Sequence, residues 1–175
     1  MNGNENTKTE PAAHASFWEF SLGFYRRPGV AQACLTLQDE AGVDVNLLLF
    51  LLWQATQQRA LSQADVQAVE QHVRPWRETI VMPLRAVRRA LKSPPALVEA
   101  GLAQAYRNRI KAVELEAERL QQDAMQGLAD RGPVGTPAAS VDQAARSSLA
   151  AYQALVLTRF PDGTDELLIA ALGGC

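Results

Sequence analysis

Hydrophobic side chains recur every three or four residues along most of this sequence, and no segment shows a sustained alternation of apolar and polar residues. This spacing places them on one face of a helix, whereas alternation would be typical of a half-buried strand. Ser16 and Glu19 stand at the spacing of a helical capping box. The pattern therefore predicts a first helix over residues 16–25 and a second that begins at Val30 and ends at Gly42.

The most apolar stretch of the chain, residues 47–53, has no polar side. Such a segment is typical of a helix surrounded by other helices rather than of a surface helix. Polar helix formers continue the pattern beyond the length of an ordinary strand, and Asp44 can cap its amino end. We expect a third helix from Asp44 to about residue 60, lying at the centre of the fold.

Two helices are predicted after residue 61. Ser62 is expected to cap the fourth helix, which ends near Val73. A fifth helix is predicted from Pro75 to Lys92, with a kink at Pro83. Its apolar residues share one arc, predicted to be buried: Trp76, Ile80, Leu84, Val87 and Leu91. Its cations lie on another side, predicted to face solvent: Arg74, Arg77, Arg85, Arg88, Arg89 and Lys92.

The carboxy-terminal half continues the helical pattern. One long helix is predicted over residues 96–130, followed by a linker-like loop over residues 131–139. A further helix capped by Ser140 and a short one over residues 165–172 complete the set. The expected fold is all-α: a single-domain helical bundle of about six to eight helices over residues 16–175, preceded by a disordered leader over residues 1–15.

Charge is segregated along the 175 residues, although the net charge is only −2. Residues 1–73 carry a net −4, residues 74–111 a net +7 and residues 112–175 a net −5. The middle block is the one that could attract an anion or an acidic partner. The two cysteines, Cys34 and Cys175, do not suggest a disulfide framework, so a reducing cytoplasm is expected, and no apolar run is long enough to cross a membrane.

The common catalytic and metal-binding patterns are missing from the sequence. No nucleophile elbow, phosphate-binding glycine loop or Glu-x-x-His pair occurs, and the two histidines are His14 and His72. We therefore predict no catalytic residue, no metal site and no cofactor. Glu114, Glu116 and Glu118 are interpreted as part of a solvated helix exterior rather than as paired catalytic carboxylates.

The alternative is a polar pocket that could bind a small ligand or a substrate. Polar residues around residues 38–46 could cap helix ends or line a pocket between the first three helices, and capping is the favoured interpretation. The candidate pocket residues are Trp18, Tyr25, Gln38, Asp39, Asn46 and Trp53.

Residues 17–53 resemble an uncharacterised bacterial family of small helical proteins that is known as a domain of unknown function. The resemblance extends to about residue 92 and rests on four motifs in this chain. The first is Trp18, Phe20, Ser21 and Leu22 with Tyr25, and the second is Pro28-Gly29-Val30. The third is Cys34-Leu35-x-Leu37-Gln38-Asp39, and the fourth is Gly42-Val43-Asp44-Val45-Asn46 followed by three leucines. It implies a small cytoplasmic bacterial protein, and no catalytic residue can be carried over from it.

The leading hypothesis is a non-enzymatic interaction or regulatory protein. It would present the basic face of residues 74–92 and the long helix of residues 96–130 to a protein partner or to another copy of itself. The alternative is a small-ligand binder or enzyme with a pocket between the first three helices. Nucleic-acid binding through Arg77, Arg85, Arg88 and Lys92 is less favoured, because the sequence pI is near 5.7.

Overall fold

The computed structural model describes residues 15–173, and within that range the chain is all-α with one long helix, as predicted. The helices are α1 (Phe17–Tyr25), α2 (Val30–Ala41), α3 (Val45–Thr56), α4 (Gln63–Trp76), α5 (Met82–Ala90), α6 (Ala100–Asp130), α7 (Val141–Val156) and α8 (Thr164–Leu172). A π-helical turn, Arg77–Val81, joins α4 to α5, and two short strands, β1 (Arg59–Ala60) and β2 (Thr136–Pro137), pair antiparallel. The predicted leader and His14 lie outside the described residues, except for Ala15. No helix of the described residues is long and apolar enough to cross a membrane.

The ends of the first helices follow the predicted caps. The Ser16 hydroxyl accepts a hydrogen bond from the Glu19 amide while the Glu19 carboxylate accepts from the Ser16 amide, which completes the capping box. Gly42 ends α2 with a φ of +67°, a left-handed conformation that glycine adopts without strain. The sequence signals at both positions are local, which explains why these boundaries could be read from the sequence.

The third helix is central, as expected, but shorter than predicted. Every residue from Asn46 to Ala55 is buried, and α3 packs most extensively against α7. The helix ends at Thr56 rather than near residue 60 because Gln58 adopts a positive φ of 54° and residues 59–60 turn away to pair with β2. This pairing joins two segments that are distant in the sequence, so the periodicity could not indicate it.

The predicted break before Pro75 does not occur. Helix α4 continues through Pro75 and enters the π-helical turn, where the Met82 amide donates to the Arg77 carbonyl five residues earlier. The turn lies immediately before Pro83, which lacks an amide proton and whose ring would clash with the carbonyl four residues earlier in a regular helix. The wider turn therefore accommodates the proline inside a continuous helical segment.

The predicted linker at residues 131–139 is held against the body. Its strand β2 pairs with β1, and the Arg59 guanidinium donates to the backbone carbonyls of Val134 and Gly135. Helix α6 begins at Ala100 rather than at residue 96, with the Glu99 carboxylate accepting from the amides of Gly101 and Leu102.

One part of the fold extends away from the main core. The core cluster of buried side chains draws on α1–α4, α7, α8 and the end of α6 around Met125. Within the described residues, α5 contributes no fully buried side chain. We call α5, the loop of residues 91–99 and residues 100–120 of α6 the hairpin, because the two helices pack on each other.

Candidate interaction surface

The two faces of the segment around α5 differ in part from the prediction. The side chains of Arg77, Arg85 and Arg88 are only 18%, 23% and 21% exposed, whereas Trp76 and Val87 are 37% and 43% exposed. The expectation that the cationic side faces solvent is therefore wrong for these three arginines. In the arc that was expected to be buried, Ile80, Leu84 and Leu91 are half-buried, while Trp76 and Val87 are exposed. These three arginines face inward because acidic side chains lie opposite them, and no residue of the apolar arc is fully buried.

Arg77 joins three helices through a half-buried ion-pair network. Its guanidinium donates to Asp44 at 3.0 Å and to both carboxylate oxygens of Glu70 at 2.6 and 2.7 Å. Asp44 also caps α3 by accepting from the amides of Asn46 and Leu47, and its second oxygen accepts from Gln121 at 2.8 Å. This one carboxylate thereby fixes the start of the central helix relative to the segment that carries the arginines.

A second network holds the hairpin together. Arg85 donates to Glu114 at 3.2 Å, to Glu118 at 2.7 Å and to the amide oxygen of Gln38 at 2.8 Å, and Arg88 forms a bidentate pair with Glu114. Glu114 is buried and Glu118 is half-buried. The interpretation that these two carboxylates belong to a solvated exterior is wrong, and of the three it holds only for Glu116, which is exposed.

The pKa values of these carboxylates follow their surroundings. Burial acts to raise the pKa of Glu114, but hydrogen bonds and charge from Arg88 and Arg85 outweigh it and lower that pKa. The pKa of Glu70 is lowered in the same way, with Arg77 and Arg74 opposing burial. Burial dominates at Glu118, whose pKa is raised although Arg85 opposes the shift. Two of the three acids are thus held in the charged form that their arginine partners require.

The remaining candidate cations are more exposed. Arg74 pairs with Glu70 and Arg89 with Asp39 at 3.2 Å, both with about half of the arginine side chain exposed. Lys92 is exposed, and none of the described acids forms an ion pair with it. Five of the six predicted anion-binding residues therefore already have acidic partners within the chain, which greatly reduces the charge that they present outward.

Helix α6 carries an exposed apolar stripe along one flank. Leu102, Tyr106, Val113 and Leu120 are 66%, 50%, 48% and 51% exposed. At about 100° per residue they share a flank of the helix, turned away from Glu114 and Glu118 by roughly a quarter turn or more. Trp76 lies close to this flank, because its indole nitrogen donates to the Ala117 carbonyl at 3.0 Å.

We define the apolar face as six residues of this region: Trp76, Val87, Leu102, Tyr106, Val113 and Leu120. Of the fourteen large hydrophobic side chains that are exposed among the described residues, ten fall within residues 76–120. Scattered exposed hydrophobic residues are normal in proteins, but a contiguous patch indicates an interaction site. The hairpin is therefore the strongest candidate surface of the molecule.

Neither of the two cavities described among residues 15–173 is lined by the predicted pocket residues as a group. Trp53 is stacked on Phe17 at 5.4 Å and its indole donates to the Ala15 carbonyl, while Arg119 lies over the ring of Trp18. Gln38 and Asp39 accept hydrogen bonds from Arg85 and Arg89, respectively. Asn46 accepts a hydrogen bond from Gln122 at 2.7 Å, and Tyr25 is half-buried. A cavity of about 560 Å³ does adjoin Trp53, but the other five predicted pocket residues do not line it.

Two residues of the polar network were missed in the sequence. Gln121 and Gln122 are buried within α6 and bind Asp44 and Asn46, respectively. A neighbouring pair of glutamines in a long helix is ordinary surface composition, so nothing local distinguishes them. Glu70 did leave a signal, since it lies four and seven residues before Arg74 and Arg77 and thus on the same helix face.

Comparison with known proteins gives one family match. The model of a family described as "Protein of unknown function (DUF2390)" matches residues 16–125, which span α1 to most of α6 and so include the whole hairpin. No curated protein and no solved structure matches the chain significantly.

Proposed function

Because the chain belongs to the DUF2390 family, which is described as having an unknown function, we propose a function from the structure itself: a non-enzymatic interaction protein whose docking element is the hairpin. The observation that carries this proposal is the outward orientation of the apolar face, with the arginines of the same segment turned inward. On the basic side, Arg77 and Arg85 link this segment to Asp44 and Gln38 of the body.

The ion pairs support a rigid presentation of the hairpin. Arg85 and Arg88 on α5 share Glu114 on α6, and Arg85 reaches Gln38 on α2. Bidentate and shared arginine–carboxylate pairs restrict orientation more than a single exposed ion pair does. A docking surface that is already held in one conformation loses less entropy when it binds.

The test is site-specific crosslinking in the source cell. A photo-reactive amino acid is placed at Val113 in one variant and at Leu115 in another, since the two positions are 48% and 49% exposed on the same helix but point about 160° apart. We expect a discrete adduct from position 113 and none from position 115. An absence of adducts at both positions, or equal adducts from both, would refute the proposal.

A further inference from the structure

The proposed function does not say which molecule covers the apolar face. Resting on that function, we infer that the occupant is a second copy of this chain, packed antiparallel against α6 so that the two hairpins form a four-helix bundle. Two observations carry the inference: the arrangement of charges within the apolar stripe and the area that the face exposes.

The stripe on α6 follows the spacing of a coiled-coil seam. Successive seam positions three or four residues apart are Leu102, Tyr106, Arg109, Val113, Glu116 and Leu120. Four of these are apolar and exposed, and the two charged members are exposed as well. Neither Arg109 nor Glu116 forms an ion pair with any residue that the structure describes. The seam therefore contains one cation and one anion without an ion-pair partner among the described residues, and each lies between apolar residues along the seam.

These two charges favour one orientation of a second copy. When two identical seams run antiparallel, Leu102 meets the partner's Leu120, and Arg109 packs beside the partner's Val113. The partner's Glu116 is then about three residues, or ~4.5 Å, along the axis from Arg109 and within reach of its guanidinium, while the partner's Arg109 lies about four residues, or ~6 Å, away on the other side.

A parallel pair would place Arg109 on Arg109 and Glu116 on Glu116, which is repulsive. The antiparallel arrangement also obeys two-fold symmetry, in which one patch complements itself. It leaves the Tyr106 hydroxyl beside the partner's Glu116, which can accept its hydrogen bond.

The area of the face is of the size that a stable dimer buries. From the exposed fractions of the six residues and typical whole-residue areas, the exposed, largely apolar area is on the order of 550 Å² per protomer. The half-buried residues and the polar rim on the same side extend it toward the ~800 Å² per partner of a standard interface. The aromatic members Trp76 and Tyr106 are of the residue types that dominate binding energy in such interfaces.

The test combines native mass with charge exchange on the purified full chain. Wild-type protein is expected to be a dimer at micromolar concentration and physiological salt. Both Arg109→Glu and Glu116→Arg should weaken the dimer at least tenfold, because each creates like charges across the seam. The double variant R109E/E116R should restore dimerisation, and an equimolar mixture of the two single variants should form a heterodimer.

A matched pair of leucines separates this interface from a general loss of apolar surface. Leu120→Glu should abolish the dimer, whereas Leu115→Glu should leave it unchanged, because both leucines are about half exposed but lie on opposite flanks of α6. Circular dichroism of each variant checks that the fold is kept.

A monomeric wild-type protein overturns the inference, and so does a dimer that responds equally to both leucine variants or is unaffected by the charge exchanges. If the wild type is monomeric while position 113 still forms an adduct with a different protein in the cell, the proposed docking function stands and the self-association alone is refuted.

Discussion

Removing the negative charge of Glu114 should loosen the packing of α5 against α6 within the hairpin. Glu114 is 5% exposed, and it accepts hydrogen bonds from both Arg85 and Arg88. The variant Glu114→Gln keeps the size of the side chain but leaves Arg88 without any of its described carboxylate partners. The substitution therefore isolates the electrostatic role of this residue from its role in packing.

The size of the effect follows from the burial of the three groups. Breaking a well-buried ion pair by neutralising one member costs about 3–5 kcal/mol. Here the two arginine side chains remain about one-fifth exposed, and Arg85 keeps Glu118 and Gln38, so water and the remaining partners recover part of the loss. We expect a decrease of about 2–3 kcal/mol in the free energy of unfolding.

Urea denaturation followed by far-UV circular dichroism measures this quantity, at one fixed protein concentration so that self-association contributes equally. The control is Asp123→Asn on the same helix, whose ion pair with Arg119 spans 3.9 Å and is more than half exposed. That control should change stability by less than about 0.5 kcal/mol. Equal effects of the two variants would refute the argument that the inward-facing arginines depend on Glu114.

Two further predictions concern the loop and the pH dependence. Gly135→Ala should lower the free energy of unfolding by at least about 2 kcal/mol, because Gly135 has a φ of +68° and an added Cβ would press on the Ala60 carbonyl. The control Gly132→Ala should change stability little, because an added Cβ there would meet no atom within 4 Å. Thermal melts compare the two variants. Stability should also fall as the pH drops below 4.5, because the pKa values of Glu70 and Glu114 are lowered in the folded state. Their stabilisation is complete above the unfolded-state pKa and is lost as the pH falls through the folded-state values, whereas Glu118, whose pKa is raised, contributes in the opposite direction. Urea titrations at several pH values, repeated with Glu114→Gln, should show a smaller acid loss in the variant.

The features that the sequence predicted correctly are those with local causes. The capping box at Ser16, the left-handed end of α2 at Gly42 and the cap at Asp44 each depend on residues within a few positions of one another. The burial of α3 on all sides could also be predicted from the sequence, because a helix that is apolar on every side has no polar face to place in solvent. Fold class and most helix starts therefore followed from the pattern alone.

The features that were missed depend on partners far along the chain. The early end of α3 requires pairing with a strand about 77 positions later, and the inward orientation of Arg85 requires Glu114, 29 positions later. Periodicity shows that a helix has two faces, but not which face has a partner. The usual rule that arginines are solvated then misplaces Arg77, Arg85 and Arg88, because it assumes that no acid lies opposite them.

The inward orientation of these arginines goes together with the exposure of the apolar face to water. An isolated hairpin could bury its apolar arc against the body and leave its arginines in water, which would avoid desolvating several charges at once. The observed arrangement instead leaves on the order of 550 Å² of largely apolar surface per chain in contact with water, and covering it would gain roughly 14 kcal/mol per chain in gross terms at ~25 cal/mol per Å², before the cost of association. Under the proposed docking function, burial of the apolar side in an assembled state would offset this exposure. The inward arginines and the exposed apolar face are therefore linked: the ion pairs orient the hairpin, and under the proposed docking function a second protein surface would cover the side that the ion pairs leave exposed.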